Sequence, residues 1–172
     1  MKPDVVIVPC GSYSEEEVFP ALEQALAPLG GLDWVAPGMK IAVKVNLVSS
    51  AKPEQAVTTH PGLVCALVKL LASRGADVVV GDSPGGLYNA AHLNRVYAAA
   101  GMKAVEHWGG RLNQDFTERE ASFPQGKVCR QFQYTAWLDG ADAIIDFCKL
   151  KTHGMMAMTC GAKNMFGAIP GT

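Results

Sequence analysis

The residues best suited to chemistry crowd into one short stretch. KLKTHGMMAMTCGAKNMFGAIPGT, from Lys149 to Thr172, holds Lys149, Lys151, His153, Lys163 and Asn164 among Gly154, Gly161, Gly167 and Gly171. Lysines neutralise phosphate or carboxylate, and glycines let backbone amides come close to a ligand. Histidine adds a base or a metal ligand. A loop this dense in polar functional types points to a site more than to core packing. The competing reading is a Met-rich packed turn with solvated lysines.

Three other positions could join it. Lys44 alternates with Val43 and Val45 in an apolar run, and Asn46 falls on the same face two residues on, so both are expected to aim into the site. Asp82-Ser83-Pro84-Gly85-Gly86 could cradle a phosphate or hydroxyl group at the start of the following helix, or serve as an ordinary turn. His60, before Pro61, is placed to cap a helix. The sequence contains no Walker loop, GxGxxG fingerprint, HExxH or zinc spacing.

These residues need elements to position them. Val5–Val8, Ile41–Leu47, Asp77–Gly81 and Ala143–Phe147 read as buried strands, and Lys103–Glu106 as a short one. Ser14–Glu17 resembles a capping box ahead of the stripe Leu22, Ala25, Leu26 and Leu29, with Pro20 awkward inside it. Pro61 opens a second helix that ends near Gly75, and Leu93, Val96, Tyr97 and Ala100 mark a third that ends at Gly101. A hairpin or excursion is expected within Trp108–Lys127, and a helical turn at Tyr134–Leu138. Strands alternating with helices predict an α/β fold: a mainly parallel sheet with helices on both faces. Ligands bind at the carboxyl ends of such strands. That rule selects the loops at Lys44, Asp82 and Lys149, and the first and last of these lie in acid-free stretches whose only charges are Lys40, Lys44 and Lys52, and Lys149, Lys151 and Lys163.

Composition narrows the function. The chain of 172 residues suits a single α/β domain, 49% apolar and 18% charged, and a net charge of −1 argues against nucleic-acid binding. A small anionic molecule is the expected partner. Cys10, Cys65, Cys129, Cys148 and Cys160 show no CxxC spacing and an odd count, so they are expected to be free thiols holding neither a disulfide nor a cluster. No apolar run reaches the ~18 residues of a membrane span and no signal peptide precedes Asp4, so the expected compartment is the cytoplasm, away from membranes.

The motifs KVNLVSS (Lys44–Ser50), TTHP (Thr58–Pro61), GDSPGG (Gly81–Gly86) and KLKTH…GAKNMFGAIPG (Lys149–Gly171) resemble, in order, the family known as domain of unknown function 362. The resemblance implies an N-terminal fragment of a longer protein, with an incomplete domain and a ferredoxin-like part carrying 4Fe-4S clusters beyond Thr172. It implies a redox-associated role, and self-association through an apolar surface near Met165, Phe166 and Ile169. A more distant similarity is to the nickel-pincer lactate racemases, since His153, nine intervening residues, Lys163 and then Pro170-Gly171 stand in the relation of their cofactor segment. That likeness implies His153 as a nickel ligand, Lys163 as the tether of a pincer nucleotide, and both as catalytic residues acting on a small 2-hydroxy acid. It also brings Thr59 and His60 into the ligand-binding set with Lys44, Asn46, Asp82, Ser83, Lys149, Lys151 and Asn164. The racemases' catalytic histidine would fall near Asp82–Gly86, where this chain has none. A non-catalytic anion or nucleotide sensor is the third reading, so whether the chain is an enzyme stays open at this stage.

Overall fold

The computed structural model describes residues 3–171. Four strands make one parallel sheet: β1 (Lys40–Val45), β2 (Asp77–Gly81), β3 (Gly110–Leu112) and β6 (Ala143–Phe147), in the order β3-β2-β1-β6. Between β3 and β6 lies an antiparallel pair, β4 (Glu118–Ser122) and β5 (Gln131–Thr135), so the expected hairpin starts in the Trp108–Lys127 stretch and closes beyond it. A 3-10 turn at Ala136–Leu138 occupies the expected helical turn. A second small hairpin, β7 (Lys151–His153) and β8 (Ala157–Thr159), follows β6.

The helices are α1 (Glu15–Leu26), α2 (Pro61–Ala72), α3 (Ala90–Ala99) and the short α4 (Gly161–Met165). Alternation along β1 divides the two faces of the sheet. Ile41, Val43 and Val45 are almost fully buried in one core with Val64, Leu67, Val68 and Leu71 of α2 and Leu93, Val96 and Tyr97 of α3. The other face carries Ala42, packed with Trp137 and Leu138, and Lys44, which meets α4. Pro20 lies inside α1, which nevertheless starts at Glu15. Ser14 makes no side-chain cap, and Glu17 Oε2 accepts instead from Gly11 N at 3.0 Å.

Two expected strands are corrected. Val5–Val8 pairs with nothing in the sheet, and Val5 and Ile7 are 74% and 90% exposed. A β-branched run favours a strand when a face of it is buried against partners, and here Val6 and Val8 are only half-buried. Lys103–Glu106 lies in a 3-10 turn, Met102–Trp108, and the edge strand comes after it at Gly110–Leu112. Met102 and Val105 are both fully buried, and their spacing of three residues suits a helical turn, not an alternating strand.

Candidate functional site

Register builds the site. Lys44 of β1 stands opposite Gly81 of β2 and Asp146 of β6, so the residues just beyond these strands share one sheet edge. Asp82 follows β2 directly. The segment after β6 returns over this edge as β7, β8 and α4.

Lys44 forms the base. It is 1% exposed, and its ammonium is ion-paired with Asp82, whose side chain is 4% exposed. Lys44 Nζ also donates to the carbonyls of Val45 (2.9 Å) and Asn164 (3.1 Å). The Asp82 carboxylate accepts from Leu47 N at 2.7 Å and from Ser83 N at 2.8 Å. Both charges are therefore compensated, as burial demands; removing one partner of such a pair typically costs roughly 3–5 kcal/mol. Gly167 sits against this pair because a Cβ there would lie 2.9 Å from Asp82 Oδ1 and 3.0 Å from Lys44 Nζ.

Asn164 ties the layers together. Its Nδ2 donates to the Lys44 carbonyl (3.2 Å) and to Asp146 Oδ1 (2.6 Å). Its Oδ1 accepts from Asn46 Nδ2 at 3.1 Å. Asn46 Oδ1 in turn accepts from Lys151 Nζ, which also donates to the Val57 carbonyl at 2.5 Å. Thr59 is a brace: its hydroxyl accepts from Asn46 N (3.0 Å) and donates to the Phe147 carbonyl (2.9 Å).

Above this network lies a cleft of about 250 Å³, lined by Asn46, Asp82, Ser83, Lys151, His153, Thr159, Lys163, Asn164 and the backbone near Gly85 and Gly167. Ser83 (8% exposed) and Thr159 (2% exposed) are among its lining residues, and their buried hydroxyls have no hydrogen-bond partner among the described residues. Neither Lys151 nor Lys163 forms a salt bridge among the described residues. Burial holds the Lys151 ammonium below the ordinary lysine range; Lys149 and Lys163 push it the same way, while Asp82 opposes them. His153 Nδ1 accepts from the amides of Met155 (3.2 Å) and Met156 (3.1 Å), which leaves the ring proton on Nε2 as a donor. His153, Lys163 and Phe166 also line an adjoining apolar hollow with Met155, Met156 and Met158.

The expected residues do not all converge. Asn46, Asp82, Ser83, Lys151, His153, Lys163 and Asn164 share the cleft, while Lys44 lies beneath it. Lys149 turns away: its Nζ is 3.4 Å from the Tyr13 hydroxyl, and the Tyr13 ring stacks on His60 at 3.7 Å. His60 caps α2 by accepting from Gly62 N at 3.2 Å. Burial first, then the charge of Lys149, pushes the His60 imidazole below its usual range. Thr159, Asp146 and Phe166 were not anticipated. The alternation Met156, Met158 against Ala157, Thr159 is the only trace in the sequence that Thr159 faces inward.

No group of three or more His, Cys, Asp or Glu side chains converges as a metal site among the described residues. None of their helices is long and apolar enough to cross a membrane.

Parallel sheet and cleft together define an α/β domain with a cationic pocket at its strand ends. The chain belongs to the family described as Domain of unknown function (DUF362), whose model matches residues 41–172. It is 32% identical over 166 residues to the thylakoid-associated protein sll1697 of Synechocystis sp., covering 93% of this chain and 49% of that protein. The chain thus spans about half the length of that relative. No solved structure matches it.

Proposed function

We propose that this domain binds a small organic anion, with its charged head in the cleft and its apolar part against the methionines. One observation carries the reading: Ser83 and Thr159, whose buried hydroxyls have no hydrogen-bond partner among the described residues, line the same cleft as Lys151 and Lys163, which form no salt bridge among those residues. Buried hydroxyls are normally hydrogen-bonded, and an oxyanion supplies acceptors for both. The Nε2 proton of His153 adds a further donor. The hollow beside it, lined by Met155, Met156, Met158 and Phe166, suits a short hydrocarbon portion.

A nickel-pincer reading draws support from His153 and Lys163 lining the same cleft. The donor chemistry at His153 does not fit a resident metal, because ligation through Nε2 requires the proton on Nδ1 and would break both amide hydrogen bonds. Metal content of the full-length protein tests this directly. Redox chemistry fed by 4Fe-4S clusters, in this proposal, belongs to a longer parent protein. We take the cytoplasm as the compartment; the relative's name suggests a membrane surface as the alternative, and fractionation of the native host distinguishes them.

Thermal unfolding at fixed ionic strength tests the binding. Inorganic phosphate and a short-chain carboxylate should each raise the Tm above chloride, the carboxylate with the longer apolar tail more so. If neither anion exceeds chloride, the reading fails.

A further inference from the structure

Two of the five cysteines meet where the site segment begins and ends. Cys148 follows β6 directly, and Cys160 precedes α4; their sulfurs are 3.9 Å apart, while the other three cysteines stand apart from this pair. Between them the chain makes its whole excursion through Lys149, Lys151 and His153, paired with itself over the three residue pairs of the β7–β8 hairpin and tied to the rest of the fold by the Lys151 bonds to Asn46 and Val57 and the Lys149 bond to Tyr13. We propose that Cys148 and Cys160 are a reversible dithiol–disulfide pair that closes the base of this hairpin and fixes Lys151 and His153 over the cleft.

A disulfide needs its two sulfurs about 2 Å apart, so each must move by roughly 1 Å. Cys148 is the half-buried member and Cys160 the exposed one, which makes Cys160 the entry point for an external oxidant. With a small disulfide as oxidant, the Cys160 thiolate attacks one of its sulfurs, breaks the S–S bond and releases one small thiolate. The Cys148 thiolate then attacks the Cys160 sulfur and releases the second. Two protein thiols are oxidised, one small disulfide is reduced to two thiols, and the two thiol protons pass to solvent or to the released thiolates. The order of steps suits the environment. Burial, then the hydrogen bond and charge of Cys160, push the Cys148 thiol up to about 11. Converting Cys160 to a mixed disulfide removes the second and third of these effects just before Cys148 must ionise. Cys10 and Cys129 are exposed, yet neither pairs with another thiol, so the same oxidant leaves them as mixed disulfides.

The test treats the reduced chain with glutathione disulfide and maps its peptides by mass. The expected product is a Cys148–Cys160 cross-link, reversed by dithiothreitol, together with at least a tenfold slowing of amide hydrogen exchange across residues 151–159. In C148S, Cys160 should stop at the glutathione adduct. A glutathione adduct that persists on Cys160 in the unmutated chain, or cross-links scrambled among Cys10, Cys65 and Cys129, overturns the pair. A cross-link without slower exchange overturns the claim that it fixes the hairpin. All these readouts are independent of whether an anion binds.

Discussion

Asn164 and Lys44 bind each other in both directions: Lys44 Nζ donates to the Asn164 carbonyl at 3.1 Å, and Asn164 Nδ2 donates to the Lys44 carbonyl at 3.2 Å. Strand β1 and helix α4 are thereby joined across 120 positions of sequence. The amide group of Asn164 also serves Asn46 and Asp146, so one side chain ties the layers beneath the cleft. Asn164→Ala keeps the main-chain carbonyl that accepts from Lys44 Nζ but removes the side-chain bonds to the Lys44 carbonyl, Asn46 and Asp146, and strands buried partners, each of which costs ~1–3 kcal/mol when left unsatisfied. The expected loss is about 3 kcal/mol in denaturant unfolding. An unchanged midpoint would mean that the network contributes little to the fold.

Ser83 and Thr159 should behave in the opposite way. Their hydroxyls are buried without partners, so Ser83→Ala and Thr159→Val remove a desolvation penalty and leave stability within ~0.5 kcal/mol of the parent or above it. Their anion affinity should nonetheless fall about tenfold, near the value of one hydrogen bond to a charged group. Calorimetric titration together with thermal unfolding separates the two effects. Lost stability with unchanged affinity would make these hydroxyls structural.

Lys151 gives the pH dependence a definite sign. Its ammonium titrates in the folded protein below the ordinary value of 10.5, chiefly because of burial. The unfolded chain therefore holds this proton more tightly, and the anion-free protein gains stability as pH rises through the folded pKa. Anion binding needs the protonated amine, so affinity falls over the same window. Stability and affinity measured as pH rises toward 10.5 should move in opposite directions, as expected for a lysine lowered by burial. Affinity that is flat across this range would remove Lys151 from the site.

Much of this was legible in the sequence for a physical reason. Ile41–Leu47, Asp77–Gly81 and Ala143–Phe147 are apolar runs that enter one parallel sheet, and parallel topology carries Asn46, Asp82 and Lys151 to one edge. Local pattern failed where partners decide the outcome. Val5–Val8 has the composition of a strand but no strand to pair with among the described residues, and Lys103–Glu106, which reads as a strand, lies in a turn that buries Met102 and Val105 at helical spacing. Lys149 shares its segment with Lys151, yet its side chain reaches Tyr13, which no spacing rule reveals. The approach of Cys148 to Cys160 depends on the path of the hairpin between them, so their separation in sequence does not show it.

The central claim is that Lys151 binds an anion at the cleft, and the most direct measurement is the anion-dependent rise in Tm for two lysine variants at fixed ionic strength. Lys151 lines the cleft, whereas Lys69 is a half-buried lysine paired with Glu15 at 2.5 Å, outside it. Lys151→Met should abolish the rise produced by phosphate or a short-chain carboxylate, and Lys69→Met should leave it intact. Equal losses in the two variants would show general charge screening and contradict the site.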